Sequence, residues 1–137
     1  MLKFIITSSL VFGLVSSFAA ELPINPGMWE TTMTRTNPLN GQEQTETTKE
    51  CVKETSIKTQ DFIEGQQQCK LVNDKVSGST LTFKVDCNQM GITSSMTAEI
   101  TADKDSSKGK MDIAMNMGGQ EQTMSMSWTA KRLGECK

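Results

Sequence analysis

The chain contains no histidine and no tyrosine. The commonest general base, the commonest metal ligand and one frequent proton donor are therefore missing. Serine and threonine are abundant, but there is no G-x-S-x-G turn and no imidazole to activate a hydroxyl. Hydrolytic and redox catalysis are accordingly not expected, and no cofactor is implied. Basic residues form no cluster. With Lys3 set aside as part of a leader, 13 of the 14 basic residues remain against 16 acidic ones, a net charge near −3. Nucleic acid is excluded as a natural partner by that balance. The carboxylates Glu43, Glu46, Asp103 and Asp105 fall in turns or polar strands, where a solvated face is the ordinary explanation. No apolar run reaches the roughly 20 residues needed to cross a bilayer as a helix.

What is present begins with an export signal. Met1, Leu2 and Lys3 make a short positive start, Phe4 to Val15 is apolar, and Ser17-Phe18-Ala19 places small residues at −3 and −1 of a cleavage site. Residues 1–19 are thus expected to be a signal peptide, and residues 20–137 a single exported domain, soluble and not membrane-spanning. The first cysteine is Cys51, so the cleavage site carries no lipoprotein cysteine. All four cysteines, Cys51, Cys69, Cys87 and Cys136, follow the leader. An even number in a small exported domain implies two disulfides. The spacings contain no C-x-x-C pair, which argues against structural zinc.

Apolar residues recur at every second position over much of the chain. Leu81, Phe83, Val85 and Cys87 alternate with Thr82, Lys84 and Asp86; Met96, Ala98 and Ile100 follow, then Met111, Ile113, Met115 and Met117, then Met124, Met126, Trp128 and Ala130. That period is the mark of a half-buried strand. Extended segments are expected at Met28 to Thr36, Gln44 to Val52, Cys69 to Val76, Thr80 to Cys87, Ser94 to Thr101, Met111 to Met117 and Met124 to Ala130. Asp103 to Gly109 is expected as a polar loop. Between the second and third strands, Thr55 caps an expected short helix carrying Ile57, Phe62 and Ile63.

These strands predict an all-β fold: an antiparallel meander of about seven strands, curled or closed into a barrel-like sheet. A hairpin turning at Gly78 sets Cys69 opposite Cys87. A last strand antiparallel to the first brings Cys136 towards Cys51. The alternative pairing, Cys51 with Cys69 and Cys87 with Cys136, stays open.

The opening PGMWE (Pro26 to Glu30), Cys51 after a polar strand, CKLVNDKVSGSTLTFKVDC (Cys69 to Cys87), the methionine-and-threonine strands and the closing KRLGEC (Lys131 to Cys136) together resemble a bacterial family of exported proteins, domain of unknown function 3617. The resemblance covers nearly all of the chain after the leader. It implies residence in the periplasm of Gram-negative bacteria and the same strand-rich layout. It supplies no activity and no site residues.

Two binding functions fit these features. Flexible methionines and the few aromatics on the inner side of a curled sheet suit a small apolar ligand, with Trp29, Met33, Phe83, Met96, Met115, Met126 and Trp128 as candidate contacts. Exposed threonine-rich edge strands would instead accept an envelope protein as partner. The alternative from another class is a Cu(I) site built from the thioethers of Met115, Met117, Met124 and Met126, with Met115 set opposite Met124 by a hairpin at Gly118 to Glu121. The exported protein is expected to begin at Ala20 and to hold no free thiol. Intact mass before and after reduction and alkylation checks both, since a thiol alkylated without reduction removes the two-disulfide expectation.

Overall fold

The computed structural model describes residues 20–63, 65 and 68–137; the expected signal peptide, residues 1–19, lies outside them. Nine strands form: β1 (Glu21–Pro23), β2 (Gly27–Thr36), β3 (Glu43–Val52), β4 (Ser56–Lys58), β5 (Cys69–Ser77), β6 (Thr80–Gln89), β7 (Ile92–Asp103), β8 (Ser106–Met117) and β9 (Gln120–Gly134). Seven make one antiparallel sheet in the order β3-β2-β9-β8-β7-β6-β5. From β5 to β9 the chain is a plain meander. The β2–β3 hairpin then joins its far side through β2, which runs antiparallel to β9.

Period-2 alternation decides which side of the sheet is buried. Leu81, Phe83 and Val85 of β6, Ala98, Ile100 and Ala102 of β7 and Met111 of β8 all point to one side and are buried. Threonine, lysine and glutamate fill the opposite side, as in the cross-sheet pairs Thr32 with Thr47 and Thr80 with Thr101, whose hydroxyls lie 3.1 Å apart. A one-sided core needs a cover. The cover comes from the lead-in and the β3–β5 connection, which pair as the small sheet β1-β4 and run across the buried side. Leu22 of β1, only 1% exposed, seals against Leu81 and Ile100, while Ile57 and Phe62 flank it.

The phase of alternation is corrected by bulges. Leu71 and Val76 on β5 differ in parity, yet both must reach the buried side. The register slips between Leu71 and Asn73, leaving Val72 as the extra residue, half out in solvent. Without that slip Cys69 would meet Asn88; with it, Cys69 meets Cys87 across the strand pair and the two form a disulfide. The second disulfide joins Cys51 to Cys136, 85 residues apart, with Cα atoms 5.6 Å apart. The alternative pairing is thereby excluded.

Four expectations are corrected. The sheet is open, with β3 and β5 as free edges and no barrel. The β1-β4 layer fills the space that closure would enclose, and β3 carries Glu46 and Glu50 on its inner side, charges that discourage an edge from pairing. No helix stands between Cys51 and Cys69 among the described residues. Ser56–Lys58 pairs with β1 instead, and only a 3-10 turn, Thr59–Phe62, follows. β-branched Thr55, Ile57 and Thr59 favour the extended form. Asp103 to Gly109 is no loop: the turn is Lys104 and Asp105, and β8 starts at Ser106. Ser106 and Lys108 are the outward half of a strand, and Ser107 and Gly109 its inward half. Lastly, Gly118 and Gly119 alone make the β8–β9 turn, so Met115 faces Gln122 and Ile113 faces Met124, a shift of two from the expected register.

The β6–β7 turn has a cost. Met90 and Gly91 both adopt positive φ, 52° and 80°, as a two-residue turn of this hand requires. For methionine the left-handed region costs about 1–2 kcal/mol, and its side chain, 92% exposed, returns nothing by packing. Replacing Met90 by Asn should raise stability by about 1 kcal/mol, measured as a higher urea midpoint at unchanged slope.

Candidate functional site

The cover protects only part of the inner side. β1, β4 and the 3-10 turn lie over β6 and β7, whereas over β2, β3 and β9 the inner side opens into a cleft of about 510 Å³. Sheet residues Trp29, Thr31, Met33, Glu50, Val52, Ser107, Met111, Met126, Trp128 and Ala130 form its floor and far wall. Ile24, Ile57 and Phe62 of the cover form its near wall.

Each tryptophan is set by its own local device. Trp128 lies opposite Gly109 on β8, and its indole occupies the space a side chain there would take; a Cβ at Gly109 would overlap the ring. A glycine inside a regular strand is thus explained by the close approach of a neighbour. Trp29 is buried, and its indole N–H donates to the Asn25 carbonyl at 2.9 Å. Asn25 is itself held from two sides. Its amide nitrogen donates to the Lys104 carbonyl at 2.8 Å, and its side-chain amide donates to Asp105 at 3.0 Å.

The same corner absorbs both terminal motifs. Gly27 has φ +153°, and a Cβ on it would strike the Gly134 carbonyl and the Arg132 side chain. Arg132 donates from Nε to the Pro26 carbonyl at 2.8 Å and from Nη2 to Glu135 at 2.7 Å. A bulge between Met28 and Trp29 pairs Met28 with Gly134 and Trp29 with Arg132, leaving Leu133 as the extra residue. PGMWE and KRLGEC are therefore a matched pair that seats β2 on β9 and holds Trp29 at the cleft.

Four of the seven expected ligand contacts, Trp29, Met33, Met126 and Trp128, come together in this cleft. The other three do not join them. Phe83 is core, 5.0 Å from Phe62 between ring centres. Met96 packs against the core from β7. Met115 lies in a separate polar depression beside Cys69 and Cys87. Lining residues that sequence reasoning did not nominate are Ile24, Thr31, Glu50, Val52, Ile57, Phe62, Ile100, Ser107, Met111 and Ala130. Glu50 was findable, because the β2–β3 hairpin pairs it with Trp29. Ile57 was hidden by its assignment to a helix.

The four methionines weighed for copper do not converge on one point. Met117 flanks the β8–β9 turn opposite Gln120, whereas Met126 faces Met111, six residues further along β8. That is about 20 Å of strand. Among the described residues no three His, Cys, Asp or Glu side chains group as metal ligands. Two buried hydroxyls, Thr59 Oγ1 and Ser107 Oγ, have no hydrogen-bond partner among the described residues, and Ser107 belongs to the cleft.

Gly109→Ala tests the floor. The new methyl must displace the Trp128 ring, so we expect a loss of about 1–3 kcal/mol in chemical denaturation together with a shifted tryptophan emission spectrum. Unchanged stability and emission would show that the ring does not rest on Gly109.

No helix among the described residues is long and apolar enough to cross a membrane. The two disulfides mark the fold as one for an oxidising, extracytoplasmic compartment. No curated protein and no solved structure matches the chain. One family profile does, described as "Protein of unknown function (DUF3617)", over residues 24–136, from just before PGMWE to the last cysteine. The chain belongs to that family.

Proposed function

We propose that the chain is a non-catalytic periplasmic protein that holds a small apolar ligand in the inner-side cleft. One observation carries this reading: the cleft is walled by two tryptophans, Phe62, three isoleucines and three methionines, and its volume of about 510 Å³ suits a small organic molecule. Filling such a wall with hydrocarbon contributes about 0.8 kcal/mol for each CH₂ removed from water. The methionines add adaptability, since an unbranched thioether side chain refits to different shapes at little cost. Residence in the periplasm is supported by the leader pattern and by the two disulfides. The methionine copper reading has no comparable support, because its four ligands are spread along the hairpin.

The chain carries its own reporter. Trp29 and Trp128 are the only tryptophans, there is no tyrosine, and both line the cleft. Titration of the mature protein with 1-decanol should therefore give a saturable blue shift of tryptophan emission. Met33→Lys, which places a charge among the apolar contacts, should weaken that binding about tenfold, near 1.4 kcal/mol. Emission that stays constant up to the solubility limit of the alcohol would sink the reading.

A further inference from the structure

Resting on that reading, the cleft also carries a sign of charge. Glu50 is its one ionisable lining residue. The neighbouring polar contacts, Thr31 and Ser107, are neutral hydroxyls. Among the described residues Glu50 has no ion-pair partner: Glu30, on the other side of the sheet, takes both Lys49 and Lys131 at 3.9 and 3.6 Å. The one cation that β2 presents on the inner side, Arg35, pairs by register with Gln44, six residues from Glu50 and about 20 Å along β3. Arg35 is turned to Met33, with Nε 3.3 Å from the sulfur. Glu50 therefore stands at the rim of an apolar cleft with its charge uncompensated, directly across the strand pair from Trp29.

We infer that the ligand is an amphiphile with a cationic head group, seated between the Glu50 carboxylate and the Trp29 ring, its apolar body lying along Trp128, Met33 and Met126. A carboxylate and an indole face attract the same kind of group, a weakly hydrated cation such as a quaternary ammonium. An anionic head would be repelled by Glu50, and the cation on the other flank of Trp29, Arg132, is already taken by the Pro26 carbonyl and Glu135. The net charge of the mature chain, near −3, has the same sign and adds a weak long-range preference.

An acid on the inner side of an edge strand also blocks edge-to-edge association, so Glu50 has a plain structural alternative. Ligand titrations separate the two. Decyltrimethylammonium, decyl maltoside and decyl sulfate share one tail and differ in head charge. Each would be titrated below its micelle concentration into the mature protein, with tryptophan emission and calorimetry as paired readouts. The cation should bind three- to tenfold more tightly than the neutral probe, and the sulfate most weakly. In Glu50→Gln the cation should lose that advantage while decyl maltoside binds as before and the thermal midpoint stays put. Equal binding of all three heads, or a preference that survives Glu50→Gln, overturns the cationic assignment and leaves the apolar-ligand reading intact. Failure of all three probes, and of decanol, overturns both.

Discussion

Everything in this fold depends on the seam between the first long strand and the last. β2 and β9 are separated by almost the whole chain, and no turn joins them. Their pairing must offset the entropy of closing a loop of about a hundred residues. The corner where they meet is correspondingly over-determined. Gly27 removes the Cβ that would collide with Gly134 and Arg132, Arg132 binds the Pro26 carbonyl, and the bulge at Leu133 adjusts the phase. The Cys51–Cys136 disulfide then ties β3 to the second residue after β9, across β2. In the chain-entropy account a bridge of that span contributes about 4 kcal/mol. Without the seam the meander would end on Trp128 and Met126 facing water, and the β2–β3 hairpin would have no sheet to join.

A thin core makes these ties necessary. The described residues bury nine hydrophobic side chains, two of them alanine, and much of the remaining inner wall is methionine. A core this small leaves little margin, which suits a fold closed by two disulfides. The cover is equally slight, three residues of β1 against three of β4. It reaches far enough to bury Leu22 but not far enough to roof β2 and β9. The cleft is what remains of a sheet whose own connecting segment is too short to cover it.

How much of this could be read from the residues follows from the range of each interaction. Alternation is local, so β6, β7 and most of β8 and β9 were legible, and so was the Cys69–Cys87 pairing through its hairpin. Cys51–Cys136 was legible only through an assumed topology. Phase errors were not legible: nothing near Val72 or Leu133 announces a bulge, because each bulge exists to serve a partner strand. Gly109 is the clearest case. In sequence it punctuates a polar stretch and signals a loop, whereas in space it is a strand residue made small for Trp128. β4 was missed for a related reason. Ser56–Lys58 is too short to show a period and is extended only because Glu21–Pro23 lies beside it.

The same contrast bears on the candidate site. Trp29, Met33, Met126 and Trp128 could be nominated from composition and alternation, since large apolar side chains on one side of a sheet point to one space. Composition cannot separate residues that fill that space from residues that border it. Phe83 fills it because Phe62 of the 3-10 turn lies against its ring; Met96 packs at the edge of the core, and Trp128 and Met126 border the space because the cover stops short. The decisive variable is the reach of a polar sixteen-residue connection across the sheet, set by where β1 and β4 pair. A chain that wanted only a core would need few more residues there to close it. This one instead holds both tryptophans beside the cleft by specific contacts, the buried Trp29 through Asn25 and the half-buried Trp128 over Gly109. Fixed aromatic walls beside an uncovered floor, more than the methionine content, are what the proposal of an apolar ligand rests on.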